Sequence, residues 1–159
     1  HRSLAILETR VDMDYQKLLE SIEGNIISNI ASNPLSRGAE VAFNLARNAT
    51  ERKHFEEQAS KILDSCAAKL GDPVRFRECI ENYEVFETCA KYVLKPSTDN
   101  IEEAAFVSQT ADTLLRHMLD VRNSGTSASD KGTIQEFIQQ YLDLWKEKLT
   151  GRDTYVRRG

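Results

Sequence analysis

The chain has 159 residues, 40% of them hydrophobic and 29% charged, which suits one globular domain with its own core and excludes a disordered polymer. With 25 acidic against 21 basic residues the formal net charge is −4, and no expected helix is strongly one-signed, which argues against a nucleic-acid binder. No stretch reaches the roughly 20 consecutive apolar residues of a membrane span. Only 7 Gly and 3 Pro punctuate the chain, and so few breaks imply long helices.

Five helices are expected, forming an antiparallel up-down bundle in a single domain, residues 1–159. In the first, Leu4, Leu7, Val11, Tyr15, Leu18, Ile22, Ile26 and Ile30 recur at spacings of three and four and share one face. It stops near Ser32-Asn33-Pro34, because a residue before proline is pushed out of helical geometry. The second runs from about Arg37 to Leu70, burying Val41, Leu45, Ala49, Phe55, Ala59, Ile62, Cys66 and Leu70. Gly71 follows as a left-handed C-terminal cap. Asp72-Pro73 then opens the third helix, the aspartate accepting from free backbone amides and the proline needing no acceptor.

On the third helix the stripe is Phe76, Cys79, Ile80, Tyr83, Phe86, Ala90 and Val93, closed by Lys95-Pro96. Asp99 and Glu102 have the spacing of a capping box ahead of a fourth helix through Ile101, Ala105, Ala111, Leu115 and Met118 to about Arg122. Residues 123–132, NSGTSASDKG, form a flexible linker. Thr133 and Glu136 cap the fifth helix, lined by Ile134, Phe137, Ile138, Tyr141, Leu144, Trp145 and Leu149 and ended by Gly151. Arg152, Arg157 and Arg158 make the end, 152–159, a solvated basic tail.

The three cysteines, Cys66, Cys79 and Cys89, all lie in one segment. Cys66 and Cys79 are nearly symmetric about the Gly71-Asp72-Pro73 turn, so facing helices bring them within reach of a disulfide. Such a bridge implies an oxidising compartment. The other reading makes all three thiols small buried hydrophobes. Cys79 and Cys89 cannot join within one straight helix, since ten residues span about 15 Å. Asn48-Ala49-Thr50 is a formal N-glycosylation triplet and leans the same way, toward secretion, although a helical setting does not favour it as an acceptor.

Active-site chemistry is sparse. Glu51-x-x-His54 matches half of a di-iron ligand pair, but Leu114 stands where a second glutamate would precede His117. No close Cys-x-x-Cys pair suggests zinc, and the isolated glycines form no phosphate loop. Glu78, Glu81, Glu84 and Glu87 step three apart and spiral around the helix rather than converge. No catalytic residue, metal ligand or cofactor site is expected. The leading expectation is a non-enzymatic bundle that binds another protein, as a secreted factor or an accessory subunit of an assembly. Its contact surface would be the tethered fifth helix, through Phe137, Tyr141 and Trp145. The alternative is a carrier holding a small apolar ligand between the third and fifth helices; an enzyme with an unrecognised site ranks third. The chain begins at His1, which fits a processed terminus or a piece of a longer chain equally.

Overall fold

The computed structural model describes residues 20, 41, 44–45, 47–94, 101–120 and 124–150. The expected first helix, the Lys95-Pro96 stop, Asp99 of the proposed cap, Gly151 and the basic tail lie outside the described residues. Among those described, the chain is all-α and has no strand. It forms α1 (Ala49–Ala67), α2 (Pro73–Asn82), α3 (Val85–Leu94), α4 (Glu103–Leu119), a 3-10 turn (Ala128–Asp130) and α5 (Lys131–Thr150). Val41, Asn44, Leu45 and Arg47 are helical as well.

The expected second helix is interrupted at Asn48. This residue takes an extended conformation (φ −106°, ψ 103°), and its side chain accepts from the Glu51 amide at 3.0 Å, capping α1. The break has a packing cause. At about 100° per residue, the six-residue step from Ala49 to Phe55 rotates the stripe by roughly 120°. Restarting the helix lets Val41 and Leu45 before the break, and Phe55, Ala59, Leu63 and Cys66 after it, all face the core. Ala49 is exposed, and Leu63 rather than Ile62 is buried.

The expected third helix is two helices joined by an elbow. Tyr83 closes α2 by donating its amide to Cys79. Glu84 then adopts φ 51°, the only non-glycine left-handed residue described. Here too the phase explains the break. In a straight helix Val85 and Cys89 would sit about 140° and 180° from Ile80, on the wet side. One left-handed residue rotates α3 so that Val85, Phe86, Cys89, Ala90 and Leu94 are buried together with Phe76, Cys79 and Ile80. Tyr83, expected in the core, is left 45% exposed at the corner. A left-handed glutamate costs about 1 kcal/mol that glycine would not. Glu84→Gly is therefore expected to stabilise the chain by roughly 0.5–1 kcal/mol, the gain being trimmed by glycine's freedom when unfolded. A urea midpoint that rises at constant slope would check this.

The Asp72-Pro73 start of α2 is as expected: the Asp72 side chain accepts from the Arg75 amide at 3.2 Å, with Pro73 in the first turn. Gly71, however, is not left-handed. Its role is close approach. A Cβ at Gly71 would lie 2.1 Å from the Gly125 carbonyl oxygen, and one at Gly125 would lie 2.7 Å from that of Gly71. The expected flexible linker is thus pinned, from 124 onward, against the α1–α2 turn. Asp72 holds it there by accepting from the Gly125 amide at 3.1 Å. The capping box comes six residues earlier than expected: Ser127 and Asp130 exchange side-chain to backbone bonds, while Thr133 and Glu136 lie inside α5.

α5 is the hub, packing against α1, α3 and α4. Phe137 meets Phe76 edge-on at 5.3 Å, Tyr141 lies 4.7 Å from Phe86, and Trp145 lies 4.5 Å from Phe55. All of these rings have 1% exposure or less. α4 covers the other side through Val107, Ala111, Leu114, Leu115 and Met118; Ile101, expected on its stripe, precedes the helix and is exposed. Lys131–Asp112 (2.7 Å) and Lys146–Glu103 (2.9 Å) tie α5 to α4 at its surface. Such half-exposed pairs contribute well under about 1 kcal/mol each. Bonds from Gln139 and Lys146 hold the Glu103 carboxyl below its ordinary 4.5. That contribution is present above pH 4.5 and is lost as acid protonates Glu103 in the folded chain.

Candidate functional site

Among the described residues, the elbow and α4 enclose an apolar-floored cleft outside the core. Tyr83, Val85 and Thr88 form one bank, and α4 supplies the other through Phe106, Gln109, Thr110, Thr113, Leu114 and His117. The volume is about 280 Å³, close to the lower end of small-molecule sites. It matches a single ring or one large side chain. The α4 positions recur at three and four, a second face beside the Val107–Ala111–Leu115 stripe.

Each bank has a clear local origin. The left-handed Glu84 turns Tyr83 outward while turning Val85 inward. The Tyr83 ring then stacks flat on His117, centroids 3.8 Å apart and planes within 8°. At the other end Tyr92 stacks on Phe106 at 4.1 Å and donates its hydroxyl to the Ile101 carbonyl, fixing the start of α4. The floor is apolar, from Val85, Phe106 and Leu114. Three threonine hydroxyls and the Gln109 amide edge it, and His117 contributes an imidazole ring. Such a surface suits an uncharged aromatic or aliphatic group carrying one or two hydrogen-bonding atoms.

The fifth-helix residues expected to form a contact surface do not lie on one. Phe137, Tyr141 and Trp145 have no exposed area, because α5 completes the bundle and its aromatic stripe becomes the centre. The gap expected between the third and fifth helices is likewise filled by Phe76, Phe86, Phe137 and Tyr141. Of the aromatic residues on the expected third and fifth helices, Tyr83 lines the cleft. Sequence reading missed Phe106, Thr110, Thr113 and His117. Their signal was the second helical face of α4, hidden by attention to its more apolar neighbour.

The three cysteines are free thiols with no exposed surface, and no bridge joins Cys66 to Cys79 in this structure. Burial raises all three thiols, Cys89 to about 12; Glu136 adds to the rise at Cys66. A thiol held protonated is a poor nucleophile and a poor metal ligand. His54 and Glu51 are exposed on the first turns of α1. Among the described residues no three His, Cys, Asp or Glu side chains gather where a metal ion would sit. Of the four glutamates stepping along α2 and α3, Glu78 pairs with Arg75 and Glu87 with Lys91, on different faces.

The buried thiols have a measurable consequence. Above pH 9 a cysteine of the unfolded chain ionises, while Cys89 in the folded chain stays protonated until about 12. The unfolded state then binds fewer protons, so stability falls as pH rises through that window. By pH 10.5 the loss assigned to Cys89 is about 2 kcal/mol. Urea midpoints between pH 8 and 10.5 should fall less steeply for Cys89→Ala than for the parent chain; parallel slopes would refute the assignment.

No protein-family model matches the chain, and no curated protein or solved structure matches it significantly.

Proposed function

We propose that the chain is a non-enzymatic helical bundle that works by binding another protein, as a secreted factor or an accessory subunit, with the elbow–α4 cleft as the anchor point. The observation that carries this reading is the half-exposed Tyr83 ring, stacked on His117 at the mouth of an apolar-floored cleft. An inserted aromatic or aliphatic side chain would gain about 1.5–3 kcal/mol by leaving water there. The surrounding hydroxyls would orient its backbone. Anchors of this kind dominate many protein interfaces.

A photo-crosslinking residue at Thr110 is expected to capture a discrete protein, and the same residue at Glu57, exposed on α1, is not. Thr110→Arg, which fills the cleft without touching the buried core, is expected to weaken that complex at least tenfold at an unchanged melting temperature. The ring of hydroxyls over an apolar floor also supports a second reading, a carrier for a small apolar ligand, now placed in this cleft. Native mass spectrometry separates the two. A bare chain that gains mass only with the captured protein supports the first, and a small molecule released by organic solvent supports the second. Crosslinks equal at both positions, with no bound molecule, would refute both.

A further inference from the structure

Asn48-Ala49-Thr50 is the chain's one Asn-x-Ser/Thr triplet without a central proline. Set within a regular helix it would be a weak acceptor, because the transferase needs the asparagine amide presented on an extended, accessible backbone. The structure meets that objection at the asparagine itself, while Ala49 and Thr50 form the first turn of α1. The helix halts at this residue, Asn48 is extended, and α1 begins only at Ala49. Arg47, Asn48, Ala49, Thr50 and Glu51 are all exposed in succession. A helical surface normally turns at least one residue in any such run toward its core, so this corner buries nothing. Beside it lies a polar hollow lined by Asn44, Arg47 and Glu51.

The cap and a glycan use different atoms. Oδ1 of Asn48 accepts from the Glu51 amide; glycosylation takes place on Nδ2. From this we propose that Asn48 is an N-glycan acceptor, its co-substrate an oligosaccharide carried on a polyprenyl pyrophosphate. Nδ2 attacks C1 of the first sugar and a nitrogen–carbon bond forms. The bond from C1 to the pyrophosphate oxygen breaks, the polyprenyl pyrophosphate leaves, and one Nδ2 proton is released. Nothing is oxidised or reduced. The amide carbonyl survives, so the helix start remains capped beneath the sugar. The three thiols, all without exposed surface, fit passage through an oxidising lumen, since a buried protonated sulfur exchanges slowly.

The test uses the full chain behind a cleavable secretory leader, translated with rough microsomes. One glycan per chain is expected, removable by peptide N-glycosidase with conversion of Asn48 to aspartate. It should vanish in Asn48→Gln and in Thr50→Ala, the latter leaving the cap untouched. The glycosylated chain should melt at the same temperature as Thr50→Ala, while Asn48→Ala, which deletes the cap, should melt a few degrees lower. An unmodified parent chain overturns the proposal. So does a glycan that persists in Thr50→Ala, or a glycosylated chain that melts as low as Asn48→Ala.

Discussion

Trp145→Ala is expected to lower the unfolding free energy by about 4 kcal/mol, a large part of the margin of an ordinary domain. Trp145 is the largest side chain with no exposure and the only tryptophan in the chain. Its ring sits against Phe55 at 4.5 Å and meets Tyr141 edge-on at 6.4 Å. Because α5 touches α1, α3 and α4 together, a void there removes contacts from several helices at once. The indole Nε1 is buried without a hydrogen-bond partner, which costs free energy that phenylalanine would not incur. Trp145→Phe should therefore lose only about 1–2 kcal/mol, the cavity being partly offset by removal of that orphan donor. Far-UV circular dichroism in urea reads both variants, since the fluorophore is gone. Were Trp145 a partner-binding anchor on the surface, the alanine variant would unfold at the parent midpoint.

Gly71→Ala should cost about 3 kcal/mol, at the upper end for forced overpacking. The added methyl would stand 2.1 Å from the Gly125 carbonyl oxygen and 3.1 Å from its carbon. Both are backbone atoms, so no side-chain rotation relieves the overlap. The loop must retreat, and the Gly125 amide then loses its bond to Asp72. Gly125→Ala meets the same contact from the other side, at 2.7 Å, and should be damaging to a similar degree. The control is Gly132→Ala. It has nothing within 4 Å and lies in the first turn of α5, so alanine's better helix propensity should stabilise by a few tenths of a kcal/mol. Equal effects at 71 and 132 would mean the two turns do not touch.

The all-α class was legible because stripes at three and four residues fill the chain and glycine and proline are scarce. Asp72-Pro73 was legible because its chemistry is local: a side-chain acceptor followed by a residue with no amide hydrogen. The breaks at Asn48 and Glu84 were not recognised, yet each left a trace. Asn48 with Glu51 three residues on has capping spacing, and the step from Ala49 to Phe55 is too long for a continuous stripe. Across the elbow, joining Ile80 to Phe86 through Tyr83 requires a ridge that drifts around a straight helix, and such a helix would turn Val85 and the cysteine expected in the core, Cys89, away from Ile80. The pairing of Gly71 with Gly125 had no local signal at all. It is a contact between turns 54 positions apart, and the Gly- and Ser-rich segment reads as a linker until its docking place is known. The cleft depends on that same elbow, which is why Tyr83 was assigned to the core and His117 to nothing.

Amide hydrogen exchange along α5 tests the placement of this helix most directly. If it is the buried hub, amides from Ile134 to Leu144 should exchange as slowly as those of Phe55 to Cys66 in α1, and both groups should lose protection at one denaturant concentration. Exchange from α5 that is orders of magnitude faster than from α1, as expected of a helix swinging on a tether, would contradict it.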